Sequence, residues 1–147
     1  MVVHASTVAY QQAGNAFAVV ISGASGSGKS SLALELMALG ARLVSDDQTV
    51  LSVERDTVLA RAPGPLRGLI EWHGVGLLPA TTLPVARVVA WMDMDQTAPT
   101  RLPEQAWTTV LGLSMPYLRR PGSGPVAAGL HQYMIGRAWE RHGADSA

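Results

Sequence analysis

The chain has 147 residues, 11 basic and 11 acidic side chains, four histidines and no cysteine. This length is enough for one domain with a substantial core, and the lack of cysteine excludes disulfides and cysteine-ligated zinc. Zero formal charge with 48% hydrophobic residues argues against disorder and against nucleic-acid binding through a broad positive field. With no apolar run near the ~20 residues of a membrane span and no secretory signal in residues 1–5, we expect a cytoplasmic protein.

The first forty residues predict a hairpin, a glycine-rich loop and a helix. The two extended segments are rich in β-branched and small apolar residues and are separated by a polar stretch with a glycine. The helix has apolar residues at helical spacing and a glycine just past its end. The strands are Ser6–Tyr10 and Phe17–Ser22, and the helix is Ser30–Leu39, closed by Gly40.

The rest of the chain predicts short strands and one closing helix. Proline- and glycine-containing breaks separate the strands. We interpret Asp93–Glu104 as a connection, and the segment Pro116–Pro125 is rich in Pro, Gly and Arg. The expected strands are Arg42–Ser45, Thr49–Val53, Thr57–Arg61, Leu69–Trp72 and Val85–Met92, and the expected helix is Val126–Glu140. Because no repeat or linker is apparent, residues 1–147 are interpreted as one domain.

The segment Gly23-Ala24-Ser25-Gly26-Ser27-Gly28-Lys29-Ser30 fits the phosphate-loop pattern between a predicted strand and a predicted helix. Its glycines let backbone N–H groups turn onto phosphate oxygens, and the following helix adds the positive end of its dipole. Lys29, the single lysine of the chain, would reach the β and γ phosphates, and the Ser30 hydroxyl would contact Mg²⁺. The loop predicts nucleotide or polyphosphate binding without specifying the reaction.

Three acidic residues after the loop are candidates for the site. Asp46 and Asp47 end a predicted strand, where one can hold a metal and the other can accept a proton from an attacking hydroxyl; a solvated turn is the alternative. Adjacent strand residues point to opposite faces, so we expect one to face the nucleotide unless the strand has ended. Glu71 interrupts the apolar strand within Gly68–Gly76, which suggests a paired or metal-bound carboxylate or an edge residue facing water.

The order of these motifs resembles HPr kinase/phosphorylase, specifically its catalytic domain. The resemblance rests on the phosphate loop, on Leu43-Val44-Ser45-Asp46-Asp47 and on Gly68–Gly76, and it extends from about His4 to Met92 and more weakly beyond. It implies an α/β fold with a P-loop-containing mixed β-sheet and flanking helices, similar to phosphoenolpyruvate carboxykinase. Because the additional N-terminal domain of the long form is missing, the chain resembles a short, catalytic-domain-only type.

The resemblance implies a Mg²⁺-dependent enzyme that phosphorylates a serine of the phosphocarrier HPr, or of its nitrogen-branch counterpart, with ATP or pyrophosphate, and reverses the reaction with phosphate. It further implies a homo-oligomer, often a hexamer, with no nucleic-acid or membrane partner. The implied catalytic residues are Asp47, Lys29, Arg101 and His4, the phosphate-binding residues are Gly23, Ala24, Ser25, Gly26, Ser27, Gly28, Lys29 and Ser30, and the metal-contacting residues are Ser30, Glu71 and Asp46.

Two departures from the family pattern favour kinase activity over phosphorolysis. His73 stands where an arginine is usual after Glu71, and Ser123 stands where an arginine is expected in the later Pro-rich loop. These departures also leave open a catalytically degenerate, nucleotide-responsive binding module. A small-molecule kinase using the same loop is a further alternative, although no lid motif follows Gly76.

Overall fold

The computed structural model describes the backbone of residues 1–146 and the side chains of residues 1–136. Eleven strands and two helices make up the described chain, together with one turn of 3₁₀ helix at Gly64–Leu66. In chain order they are β1 (Val2–Val3), β2 (Ala5–Gln12), β3 (Asn15–Ser22), α1 (Lys29–Ala38), β4 (Arg42–Ser45), β5 (Thr49–Glu54), β6 (Thr57–Arg61), β7 (Leu69–Trp72), β8 (Gly76–Pro79), β9 (Ala86–Thr97), β10 (Ala106–Val110), β11 (Leu113–Arg120) and α2 (Ala127–Ser146). In the described part of the chain neither helix is both long and apolar enough to cross a membrane.

Nine strands form one mixed sheet, and β7 and β8 form a separate two-stranded hairpin. The main path runs β1-β5-β6-β9-β3-β2-β4, and β11 joins it on β9 with β10 outside. The pairs β3–β9 and β9–β11 are parallel, whereas the other pairs are antiparallel. This mixed α/β architecture confirms the predicted fold class.

The core has two parts because the central strands are buried on both faces. Alternate residues of β3 point to opposite sides of the sheet, so Val19 and Ile21 belong to one cluster and Ala18 and Val20 to the other. Both helices pack on the first cluster. Residues of β5, β6, β10 and β11 complete the second, so the flanking helices cover one face and the curled sheet covers the other.

The strand order brings three chain segments to one edge of the sheet. Since β2 is antiparallel to both β3 and β4, those two strands run in the same direction, and β9 is parallel to β3. The carboxyl ends of all three strands therefore lie at the same edge. The phosphate loop follows β3, Asp46 follows β4, and Asp93 pairs with Ser22 at the end of β3.

The prediction that Asp93–Glu104 is a connection was wrong for its first five residues, because β9 continues to Thr97. The polar side chains of this segment have specific partners. Asp93 accepts hydrogen bonds from the Tyr117 hydroxyl at 2.5 Å and the Asp95 N–H at 2.9 Å. The backbone pairs with β11 up to Arg120 and Thr97. The strand is therefore stabilised by pairing that composition does not reveal.

The first five residues of the Pro-, Gly- and Arg-rich segment, Pro116 to Arg120, belong to β11. Pro116 is fully buried and lies opposite Trp107, while pairing of β11 with β9 starts only at Tyr117. Because this pairing begins after Pro116, the missing N–H group of the proline costs no hydrogen bond between β11 and β9. The strands β8 and β10 were not predicted from the sequence. The predicted closing helix exists, beginning at Ala127 and extending beyond Glu140.

Candidate active site

The phosphate loop connects a buried strand to a helix whose first turn is free to bind an anion. Gly28 precedes α1 with a φ of +98°, in the left-handed region that favours glycine. The first intrahelical hydrogen bond runs from the Leu32 N–H to the Gly28 carbonyl at 2.9 Å. The N–H groups before Leu32 consequently have no acceptor within the helix, which is the arrangement that binds phosphate.

Gly23 must be glycine for a different reason. Its φ is +150°, and a Cβ atom there would come within 2.5 Å of Ser27 Oγ and 3.1 Å of Met94 Cβ. The Ser27 hydroxyl oxygen is itself buried with no hydrogen-bond partner among the described residues. The start of the loop is thus packed tightly against both its own later residues and β9.

The Lys29 side chain is buried beneath the loop and holds its backbone in place. Its ammonium group donates to the carbonyl oxygens of Gly23 at 2.9 Å and Ala24 at 3.1 Å. Two of its three donors are occupied in this way, which leaves one for a phosphate oxygen. On the other side of the same peptide, the Asp95 carboxylate accepts the Ala24 N–H at 3.0 and 3.2 Å.

Asp46 connects the phosphate loop with the neighbouring elements. One of its carboxylate oxygens accepts the hydroxyls of Ser30 at 2.7 Å and Ser6 at 2.8 Å, and the other accepts the Glu71 N–H at 2.9 Å. The side chains of Ser6 and Asp46 are buried, and the Ser6 hydroxyl also accepts the Asp47 N–H at 3.1 Å. These hydrogen bonds orient the Ser30 hydroxyl at the N-terminus of α1.

Asp47 follows the end of β4 and adopts a φ of +66°, which a short acidic side chain tolerates better than most. This turn frees the carboxylate from strand geometry, so Asp46 and Asp47 need not point to opposite faces. The Asp47 carboxylate is about half exposed and lies 2.7 Å from the His4 Nε2 atom. His4 lies between β1 and β2, which pair with β5 and β4 on either side of Asp47.

Glu71 lies on the β7–β8 hairpin, with its side chain about half exposed. Its carboxylate is 3.0 Å from the His73 Nε2 atom, an exposed ion pair when the histidine is protonated. Both expectations for Glu71 thus have support: the side chain faces water, and it has a partner. The backbone hydrogen bond to Asp46 fixes the hairpin beside the phosphate loop.

These groups meet at a cleft of about 190 Å³. The predicted residues Lys29, Ser30, Asp47 and Glu71 line it together, with Asp46 directly behind Ser30 and His4 beside Asp47. The remaining lining residues are Ser25, Gly26, Gly28, Ser31 and His73. Arg101 is exposed in the 98–105 segment and does not line this cleft.

The donors at the cleft suit a magnesium ion that retains several waters. Mg²⁺ prefers oxygen ligands and is usually held by few protein groups together with substrate phosphates. The Ser30 hydroxyl and the Glu71 carboxylate both line the cleft, and Asp46 binds the Ser30 hydroxyl. Within the described residues, no three His, Asp or Glu side chains gather in a metal-binding group.

Sequence reasoning missed Ser6 and Asp95, which hold the site from behind. Ser6 gave no signal, because a serine in an apolar strand is unremarkable. Asp95 gave no usable signal either, because an acid inside a strand such as β9 cannot be distinguished in the sequence from an acid in a connection. Burial, followed by the hydrogen bond to Asp93, raises the pKa of the nearby Tyr117 to about 12, so its hydroxyl stays protonated at neutral pH.

A family model described as the HPr Serine kinase C-terminal domain matches residues 2–90. The HPr kinase/phosphorylase of Azoarcus sp. (strain BH72) is 38% identical over 125 residues, which cover 76% of this chain and 39% of that protein. The enzyme of the same name from Halalkalibacterium halodurans is 34% identical over 109 residues, covering 69% of this chain and 34% of that protein. The chain thus spans about two fifths or less of the length of these relatives.

A solved structure has the same fold along almost the whole chain. It is the Hpr(Ser) kinase/phosphatase from Coxiella burnetii, with a TM-score of 0.80, 20% sequence identity, and coverage of 99% of this chain and 95% of that one. Together with the family model, these matches confirm the resemblance drawn from the phosphate loop, the Asp46-Asp47 pair and the Gly68–Gly76 segment.

Proposed function

The chain belongs to the HPr serine kinase C-terminal domain family, and from this premise we propose that it transfers the γ-phosphoryl group of ATP to a serine hydroxyl of an HPr-type phosphocarrier. The observation that carries the proposal is that Asp47 lines the same cleft as Lys29 and Ser30. A carboxylate beside a phosphate-binding loop is where a base is needed for a hydroxyl that attacks the terminal phosphate. Pyrophosphate is the alternative donor.

In the proposed reaction, the Asp47 carboxylate accepts the proton of the attacking serine hydroxyl. The serine oxygen forms a bond to the γ-phosphorus, the bond between that phosphorus and the bridging oxygen breaks, and ADP leaves. His4, 2.7 Å from Asp47, orients the carboxylate. The Lys29 ammonium and the free N–H groups of α1 stabilise negative charge on the phosphates.

We propose that Ser30, Glu71 and Asp46 would hold Mg²⁺ and that Asp46 also orients the Ser30 hydroxyl. When bound, Mg²⁺ would neutralise negative charge on the phosphates. We propose that Arg101, which lies in the 98–105 segment outside the cleft lining, neutralises phosphoryl charge. We further propose a homo-oligomer, hexameric as the family resemblance implies.

A second candidate, a nucleotide-responsive module that binds a phosphocarrier without turnover, is favoured by one observation. The Glu71 carboxylate, a proposed metal contact, already has His73 at 3.0 Å, at the position where the family pattern has arginine. A protonated His73 would compete with a metal for the same oxygen.

Mass spectrometry of the acceptor distinguishes these candidates. The purified chain is incubated with ATP, Mg²⁺ and an HPr-type phosphocarrier, and the intact carrier is then weighed. A gain of one phosphate, lost when the acceptor serine is replaced by alanine, supports the kinase. Complex formation without any gain in mass supports the binding module and contradicts the kinase.

A further inference from the structure

Three large apolar side chains are exposed at the end of the β7–β8 hairpin. They are Trp72, Val75 and Leu77, which we call the apolar tip, and their exposed fractions are 52%, 59% and 65%. The segment from Trp72 to Leu77 otherwise contains only His73 and two glycines. Exposed apolar residues are ordinary when scattered, whereas a cluster within six residues is typical of an interaction surface.

The tip adjoins the candidate active site through the register of the hairpin. Leu77 lies directly opposite Glu71, and residues opposite each other in an antiparallel pair point to the same face. Glu71 and His73 line the cleft, so Leu77 lies on the side of the hairpin that borders it. Trp72 has the opposite orientation, with Ile70, and Val75 lies in the turn between the strands. The tip is thus apolar on both faces.

The hairpin beneath the tip is firmly attached to the rest of the molecule. Ile70 is fully buried in the cluster that includes α1, and Ala80 donates a backbone hydrogen bond to the Gly68 carbonyl at 3.0 Å, which closes the base. The Glu71 N–H is bonded to Asp46. A surface held in position before binding loses little conformational entropy when a partner arrives.

The size of the cleft decides what can reach Asp47. About 190 Å³ accommodates phosphate groups and a serine side chain, and a folded protein is far larger. A protein that delivers its serine to Asp47 must therefore rest on the rim, and the apolar tip forms the rim beside Glu71 and His73. Apart from His73, the tip segment carries no titratable group, so it matches a partner with apolar rather than charged surface next to the serine.

We propose that the apolar tip is the docking surface for the protein acceptor and that the acceptor covers it with apolar side chains beside its phosphorylatable serine. This inference rests on the proposed function, because it takes the cleft as the place where the serine reacts. Exposed tryptophan enclosed by a partner is a frequent source of binding energy. A second copy of this chain is the competing occupant.

Binding of an HPr-type phosphocarrier to single variants tests the inference. We expect Trp72→Ala and Leu77→Ala each to raise the carrier Kd by about tenfold, the change produced by a loss of about 1.4 kcal/mol, while the ATP Kd is unchanged. Trp107→Ala and Leu102→Ala are the matched controls, since both residues are exposed large apolar side chains away from the cleft. Isothermal titration calorimetry gives both constants, and the unfolding midpoint of each variant verifies its folding.

The proposal is overturned if the tip variants bind the carrier as the wild type does, or if they only dissociate an oligomer in sedimentation experiments and leave carrier affinity unchanged. The proposed function is judged separately, from the mass of the carrier. If the protein phosphorylates the carrier and the tip variants keep the wild-type carrier affinity, the docking surface is rejected and the kinase is not. If the tip variants lose carrier affinity but the wild type does not phosphorylate the carrier, the kinase is rejected and the docking surface is not. Absence of both contradicts both.

Discussion

Asp95 holds the start of the phosphate loop from the side opposite Lys29. Its carboxylate accepts the Ala24 N–H, while Lys29 binds the carbonyls of Gly23 and Ala24. We expect Asp95→Ala to weaken ATP binding by roughly fivefold, the equivalent of about 1 kcal/mol for one lost hydrogen bond. A titration of the variant with ATP and Mg²⁺ measures this change.

The amide of Asp95→Asn still offers an oxygen to Ala24, so this variant should bind ATP almost as well as the wild type. Asp56→Ala, at an exposed acid in the β5–β6 turn, is the control for loss of a carboxylate elsewhere. Tighter ATP binding in both Asp95 variants would show that the carboxylate acts by repelling phosphate, contrary to this account.

Tyr117 and Tyr10 should make stability fall at high pH. Burial raises the pKa of each phenol to about 12, and for Tyr117 the bond to Asp93 adds to this effect. The unfolded phenols titrate near 10, so their contribution to stability is complete below that pH and is lost as pH rises towards about 12. Urea unfolding between pH 9 and pH 12 should show this fall in the free energy of unfolding. In Tyr117→Phe the free energy of unfolding should fall less steeply with pH. An equally steep fall in that variant would contradict the role of the Tyr117 phenol.

At the level of single residues, the sequence predicts the site best where chemistry restricts the residue type. The phosphate loop, Asp47 and Glu71 fall in one cleft as expected from their order in the chain. Ser6 and Asp95 could not be selected in the same way, because their role depends on which strands pair.

At the level of secondary structure elements, the sequence pattern predicts well the helices and strands whose hydrogen-bond partners lie nearby in the chain. The β2–β3 hairpin, α1 and β6 agree with the predicted segments within one or two residues. The last five residues of β9 and the strands β10 and β11 were missed. β9 and β11 pair with each other over a long separation in the chain, whereas β10 pairs with β11 in a tight hairpin. Asp93 on β9 is bonded to Tyr117, 24 residues away, and an acid with such a partner cannot be distinguished in sequence from an acid in a loop.

The C-terminus of α1 gives a test of local backbone chemistry. The Gly40 and Ala41 N–H groups bond the Met37 and Leu36 carbonyls at 3.1 and 3.0 Å, the Schellman arrangement, and Gly40 has a φ of +117°. We expect Gly40→Ala to lower the free energy of unfolding by about 1 kcal/mol, because a side chain is strained at this φ. Chemical denaturation measures the change.

Gly129→Ala is the matched control for that substitution. Gly129 lies within α2, and a Cβ atom added there meets nothing within 4 Å. Alanine should therefore raise the stability of the protein by up to about 1 kcal/mol, through its higher helix propensity. Destabilisation of similar size by both substitutions would show that the cost at Gly40 does not come from backbone conformation.

At the level of the whole molecule, the sheet order explains why residues distant in sequence share one site. The strands β3, β4 and β9 end at the same edge, which brings together the phosphate loop, Asp46 and Asp95. The hairpin of β7 and β8 then places Glu71 across the cleft. The sequence predicts a strand before each acid. It does not predict that β9 lies next to β3, which only the structure shows.

The most direct test of this account is the rate at which Asp47→Asn phosphorylates an HPr-type carrier, measured beside the affinity of the same variant for ATP. Asparagine keeps an oxygen for His4 and removes the base. We expect a rate lower by about two to four orders of magnitude, with ATP affinity within about twofold of wild type, because Lys29 and α1 hold the phosphates. Phosphorylation at the wild-type rate in this variant would contradict the role of Asp47 and, with it, the proposed mechanism.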